Sequence, residues 1–241
     1  MRERPQFEPS GVAPPDTLQQ DPRVGQLVRQ QPDDETRVTL IGFPSDEGVR
    51  RNGGRVGAAA GPRALREALW RLTPDARNPE VHRALLERCW DRGDLTVTGD
   101  LERDQEMLGL AVAEELRQER RPIVLGGGHE TTLGHFLGYV HAGRDVHLLN
   151  WDAHADVRPP IEGRGHSGSP FRQAIEHSSG RCRSYTVAGL LPWSVAEGHL
   201  EFVDAQGGVV LFRQELTERT IDALYATAPR DRLVSFDLDA V

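Results

Sequence analysis

Seven short apolar runs recur between Arg37 and Phe236, each set apart by a loop or a helical stretch. They are Arg37–Phe43, Leu95–Thr98, Pro122–Leu125, Asp145–Asn150, Ser184–Ala188, Val209–Phe212 and Leu233–Phe236. Most are continuous rather than alternating in hydrophobicity. That pattern suits strands of a parallel sheet covered on both faces. Helical spacing fills the intervals. Pro62 opens a helix with Leu65, Leu69 and Leu72 on one face, and Leu108, Ala111, Val112 and Leu116 mark another over Leu101–Glu119. Thr131–His141 and Ser194–Ala205 complete the set, the latter closed by Gly207-Gly208. The predicted fold class is α/β, a three-layer α-β-α arrangement on a mostly parallel sheet. Residues 1–36 carry six prolines and read as an irregular arm with one short helix near Val24–Arg29, so the organisation expected is an arm, 1–36, and one domain, 37–241.

Several function classes fall away. No run approaches the roughly 18–20 apolar residues of a membrane span, and the start Met1-Arg2-Glu3-Arg4-Pro5 lacks the apolar core of a secretory signal. A net charge of −8 argues against nucleic acid as a partner. The two cysteines, Cys89 and Cys182, form neither a metal pattern nor a disulfide framework, so a reduced, cytoplasmic protein is expected. All 29 basic residues are Arg. Without lysine there is no Schiff-base chemistry and no Walker-type phosphate loop.

In sheets of this kind ligands bind beyond the carboxyl ends of the strands. Three of those ends are rich in acids and imidazoles: Gly126-Gly127-Gly128-His129-Glu130, Asp152-Ala153-His154-Ala155-Asp156, and Asp237-Leu238-Asp239. In an extended segment, residues at i, i+2 and i+4 point the same way. Asp152, His154 and Asp156 have that spacing, as do Asp237 and Asp239. With His129 they give six ligands, four carboxylates and two imidazoles. Four carboxylates without a cation repel one another. The oxygen-rich set suits Mn²⁺ or a similar ion, and six ligands fit two metals bridged by a carboxylate. Such a pair generates hydroxide at neutral pH, so the expected chemistry is hydrolysis.

These segments resemble the ureohydrolases: the arginases, agmatinases and formimidoylglutamases. The likeness rests on GGGHE (Gly126–Glu130), DAHAD (Asp152–Asp156), SFDLDAV (Ser235–Val241) and the loop RNGGRVGAAAGP (Arg51–Pro62). It implies two Mn²⁺ per subunit, one held by His129, Asp152, Asp156 and Asp237, the other by Asp152, His154, Asp237 and Asp239. Asp152 and Asp237 would bridge them together with a hydroxide. The segment Arg164–Gln173 is similar to the S-G-T-P-F-x-Q stretch of formimidoylglutamases. The family's proton-shuttle position falls on Ser167, with His166 one residue out of register.

The resemblance thus favours hydrolysis of N-formimino-L-glutamate to L-glutamate and formamide, a step of histidine breakdown. Asp239 would accept a hydrogen bond from the hydroxide, and His166 or a metal-bound water would protonate the leaving amine. Arg55, Arg158 and Arg172, with Ser167, are the candidates for holding a small-molecule substrate that carries two carboxylates. Family members are commonly oligomeric, so a homo-oligomer is compatible with this reading. A guanidine hydrolase of the arginase or agmatinase kind is the alternative, and a non-catalytic member is a second. The family pattern continues past SFDLDA with one more strand, set near the middle of the sheet, and a final helix. The expectation is therefore a C-terminally incomplete sheet, with unpaired backbone and apolar surface on both sides of a gap.

Overall fold

The computed structural model describes residues 3–17, 21–226 and 231–240. In chain order its elements are β1 (Phe7–Glu8), α1 (Val24–Leu27), β2 (Val38–Phe43), α2 (Glu47–Arg51), α3 (Gly61–Leu69), α4 (Pro79–Leu86), β3 (Cys89–Leu95), α5 (Leu101–Arg117), β4 (Arg121–Gly126), α6 (Thr131–Ala142), β5 (Val146–Trp151), α7 (Pro170–Ile175), β6 (Cys182–Leu190), α8 (Glu197–Ala205), β7 (Val209–Phe212), α9 (Glu218–Ala226) and β8 (Arg232–Phe236).

The strands form two four-stranded sheets, ordered β1-β3-β2-β4 and β7-β6-β5-β8. Every pairing is parallel except β1 with β3. The architecture is the three-layer α/β arrangement. All six residues of β2 are buried, and they serve two faces. Ile41 and Phe43 join a core with Leu108, Phe136, Leu148 and Phe171, beneath α5, α6 and α7. Val38 and Leu40 join Val24, Trp70 and Leu86, beneath α1, α3 and α4. Parallel strands with helices on both sides have no solvent face, which is why β2 reads as an unbroken apolar run.

The two sheets meet across a cleft between the edges of β4 and β8. A cavity of about 1290 Å³ there is lined by both strands and reaches His129, Ser235 and Asp237. Among the described residues no strand lies between them. Ile123, Val234 and Phe236 are accordingly exposed. Leu65 also lines this cleft, so of the leucine stripe expected to bury α3 only Leu69 packs against a core. Pro62 and Arg66 are its buried residues, and Leu72 is exposed.

Other departures from the sequence reading have physical causes. β3 lies at Cys89–Leu95, ahead of the Leu95–Thr98 run. Its charged residues are tolerated because Arg66, fully buried, pairs with Asp91 and Asp94 at 2.8 and 2.6 Å. The sequence reading did not anticipate helices α2, α4, α7 and α9, which span five, eight, six and nine residues. The arm contributes β1 as well as α1, and Val24 and Val28 are buried on the second core. Cys89 and Cys182 are free thiols. Among the described residues no helix is long and apolar enough to cross a membrane.

Candidate metal centre

Three strand ends deliver the cluster. The chain leaves β4 through Gly126, Gly127 and Gly128 before His129. A Cβ at Gly127 would lie 1.9 Å from the Ser45 carbonyl oxygen, so only glycine lets the two backbones pass. The amide of Gly128 then donates to that carbonyl at 2.9 Å.

The second segment follows β5. The Asp152 amide donates to Ala188 O at 3.0 Å, the Leu191 amide to Ala153 O at 3.1 Å, and the Tyr185 hydroxyl to Ala155 O at 2.6 Å. Asp156 sits at φ 46°, in the left-handed region that a non-glycine residue occupies only where its surroundings hold it. The third segment follows β8. Trp151 and Phe236 are paired across β5 and β8, so the second and third segments leave the sheet level with each other. The Asp237 amide donates to Trp151 O at 2.8 Å, and the Asp239 amide to an Asp237 carboxylate oxygen at 3.1 Å.

The six predicted ligands converge. His129 Nδ1 lies 3.2 Å from Asp152 Oδ2, 2.9 Å from Asp156 Oδ2 and 3.3 Å from Asp237 Oδ2. His154 Nδ1 lies 2.9 Å from Asp239 Oδ2 and 3.5 Å from Asp152 Oδ1. Asp152, 1% exposed, sends one oxygen to each imidazole and so joins two half-sites.

The electrostatics are those of crowded acids around a small number of cations. Burial raises the Asp156 carboxyl above its ordinary range. Burial and the nearby Asp237 and Asp152 carboxylates do the same at Asp239. Burial also opposes ionisation of Asp152, but His129 and His154 overcome it and hold that carboxyl well below its ordinary value. Burial disfavours a charged His129, yet Asp152 and Asp156 raise it well above the usual imidazole range. Asp152 also pushes His154 up to about 9. Two protonated imidazoles are what these residues can themselves set against four carboxylates. Divalent ions supply the same compensation with more charge, and the donor set of hard oxygens with two imidazoles fits them.

Residues that sequence reasoning passed over complete the cluster. The ring nitrogen Nε2 of His129 lies 2.7 Å from the Ser235 hydroxyl, itself 2.9 Å from Thr132 Oγ1. With Nε2–H donating to Ser235, Nδ1 is left as the ligand atom, a common way of fixing a ligating imidazole. The Asn150 amide donates to Asp152 Oδ2 at 3.0 Å. Ser235 lay inside a quoted motif, but only the fold reveals its partner.

The candidate substrate residues divide. Arg158, two residues past Asp156, donates from Nη1 to Asn52 Oδ1 at 3.1 Å, and Asn52 Nδ2 donates to Ser167 Oγ at 3.1 Å. Arg158, Asn52 and Ser167 therefore form one polar rim. Arg55 is exposed and makes no hydrogen bond or ion pair among the described residues. Arg172 lies over the Phe202 ring at 4.1 Å and is engaged by Val157 O and Glu176. His166 is 2% exposed. Its Nδ1 accepts from the Gly168 amide at 3.1 Å and its Nε2 meets Pro159 O at 3.2 Å, so both nitrogens are spent inside the loop.

A three-layer α/β fold with a carboxylate–imidazole cluster at the carboxyl ends of its strands defines a protein equipped for divalent-cation chemistry. The chain belongs to the arginase family, whose family model matches residues 36–241. It is 44% identical over 162 residues to the formimidoylglutamase of Rhodococcus opacus, covering 63% of this chain and 46% of that protein. It is 35% identical over 223 residues to the formimidoylglutamase of Chromobacterium violaceum, covering 85% and 69%. The chain thus spans about half the length of the first relative and about two thirds of the second. Among solved structures, the Mn²⁺-containing formiminoglutamase of Trypanosoma cruzi superposes with a TM-score of 0.81 at 32% identity, over 91% of this chain and 75% of that one.

Proposed function

We propose that this chain acts as a metal-dependent hydrolase of a linear amidine, N-formimino-L-glutamate, giving L-glutamate and formamide with a pair of Mn²⁺ ions as cofactor. The observation that carries the reading is the convergence of His129, Asp152, His154, Asp156, Asp237 and Asp239 beside the Arg158–Asn52–Ser167 rim. The formimidoylglutamases among its relatives support the substrate, and the Mn²⁺ in the Trypanosoma cruzi enzyme supports the metal. On this reading the chain serves histidine breakdown, and its proposed location is the cytoplasm.

When bound, two such ions acidify a water and draw electrons from the carbon under attack. The protein's own groups do the rest. Asp152 belongs to both half-sites, and Asp237 adds its Oδ2 to the first, 3.3 Å from His129 Nδ1. Asp239 accepts the Ala153 amide through Oδ1 at 3.2 Å, which aims its other oxygen at His154 and leaves it placed to orient the attacking water. Arg158 and Ser167 take the carboxylates of the substrate, an Arg–carboxylate pairing that fixes orientation as well as charge. For His166 to act as the acid on the leaving amine, it must first release Pro159 or Gly168.

The test is turnover with Mn²⁺ and three substrates: formiminoglutamate, arginine and agmatine. Glutamate and formamide are expected from the first alone. Urea from either guanidine, or no turnover of formiminoglutamate, overturns the proposal.

A further inference from the structure

We infer that Glu130 is a positioning residue that sets the substrate rim at its distance from the metal cluster. The inference rests on the formiminoglutamate reading above and adds a residue to it. Glu130 directly follows His129 and is fully buried. Its Oε1 accepts the Gly48 amide at 2.9 Å, and its own carbonyl accepts Gln105 Nε2 of α5 at 2.7 Å. Gly48 passes the connection on. Its carbonyl accepts the Ser167 amide at 3.1 Å and the Asn52 amide at 3.0 Å. One carboxylate therefore fastens the residue from whose carbonyl two of the three rim residues hang, and Asn52 holds the third, Arg158, at 3.1 Å.

The site is shaped for this side chain. A Cβ at Gly48 would lie 2.5 Å from the Glu130 carboxyl carbon, and one at Gly128 would lie 2.1 Å from Oε2. Oε2 is buried and has no hydrogen-bond partner among the described residues. A carboxyl half unsatisfied in the interior destabilises the fold, and an apolar side chain would fill the same space without that burden. What the apolar side chain would lose is the acceptor for Gly48. Glu130 reaches no reacting atom; it acts through Gly48.

Two substitutions separate this role from packing. Glu130→Gln keeps an oxygen acceptor at full length. Glu130→Asp keeps the carboxyl group but is one methylene too short to reach the Gly48 amide. For Glu130→Asp the KM for formiminoglutamate should rise by about tenfold or more with kcat held within about threefold, the pattern of lost ground-state positioning. Its Mn²⁺ affinity by calorimetry should stay within about threefold of the parent, and Glu130→Gln should match the parent in all three quantities. Hydrogen exchange at Gly48, Asn52 and Ser167 should quicken in Glu130→Asp and not in Glu130→Gln. The exchange readout needs no turnover, so an inactive parent overturns the functional reading while the exchange rates still decide the tie. An unchanged KM or unchanged exchange in Glu130→Asp, a Glu130→Gln variant as impaired as Glu130→Asp, a parallel loss of Mn²⁺ affinity, or failure of Glu130→Asp to fold would each overturn the inference.

Discussion

Arg66→Met should be among the most damaging single changes away from the metal centre. The Arg66 side chain is fully buried on α3 and donates Nε to both Asp91 oxygens at 3.0 and 3.2 Å, Nη2 to Asp91 Oδ1 at 2.8 Å and to Gly93 O at 3.1 Å, and Nη1 to Asp94 Oδ1 at 2.6 Å. Asp91 is nearly as buried, at 3% side-chain exposure, while Asp94 at 21% can turn to water. Methionine fills the volume but strands Asp91 with the Gly93 amide as its remaining donor. Removing one partner of a buried ion pair costs about 3–5 kcal/mol. For a chain of this length, each kcal/mol lowers Tm by roughly 2–4 °C, so a fall of roughly 6–20 °C is expected. Urea unfolding followed by the fluorescence of buried Trp70 reads the free energy directly. The double change Arg66→Met with Asp91→Leu should recover a substantial part, because an apolar pair leaves no stranded charge. A single-variant loss under about 1 kcal/mol, or a double variant worse than the sum of its parts, would refute the reasoning.

Three further outcomes follow from the same structure. The apolar edges of the β4–β8 cleft should bind a hydrophobic dye, and Val234→Lys with Ile123→Lys should lower both dye fluorescence and aggregation rate; equal fluorescence would mean the cleft is closed in solution. Because Asp152 raises His154 to about 9, this imidazole is protonated at pH 7 in the metal-free protein, and a metal must displace that proton. Mn²⁺ affinity should therefore rise with pH, by up to about tenfold per unit below pH 9, with proton release detectable by calorimetry in buffers of different ionisation enthalpy; a pH-independent affinity would contradict this. Tyr185→Phe removes the 2.6 Å bond to Ala155 O and should cost about 1 kcal/mol in a urea melt, and no measurable loss would show the metal-bearing loop to be held elsewhere.

The fold class and the crowding of acids and imidazoles at the strand ends were legible because both depend on local patterns. Strands buried on both faces write themselves as unbroken apolar runs, as β2 does, whereas the Asp152–Asp156 segment bends and turns left-handed at Asp156 instead of staying extended, so its convergence comes from the fold around it. What was not legible depends on distant partners. β3 carries Asp91, Arg92 and Asp94 and looks unlike a strand until Arg66 is seen beside it. Arg158, Arg172 and Arg55 are indistinguishable as letters, but one meets Asn52, one stacks on Phe202 and one points to solvent. His166, adjacent to the expected shuttle position, is folded into its own loop. Glu130 sat inside a recognised motif, and its connection to Gly48 spans 82 residues.

The central claim is that these six side chains hold two cations. Anomalous scattering at the manganese edge from crystals grown with Mn²⁺ tests it most directly. Two peaks are predicted about 3.5–4 Å apart, one beside His129 and Asp156, the other beside His154 and Asp239, with Asp152 between them. A single peak, or peaks remote from Asp152, would contradict the account.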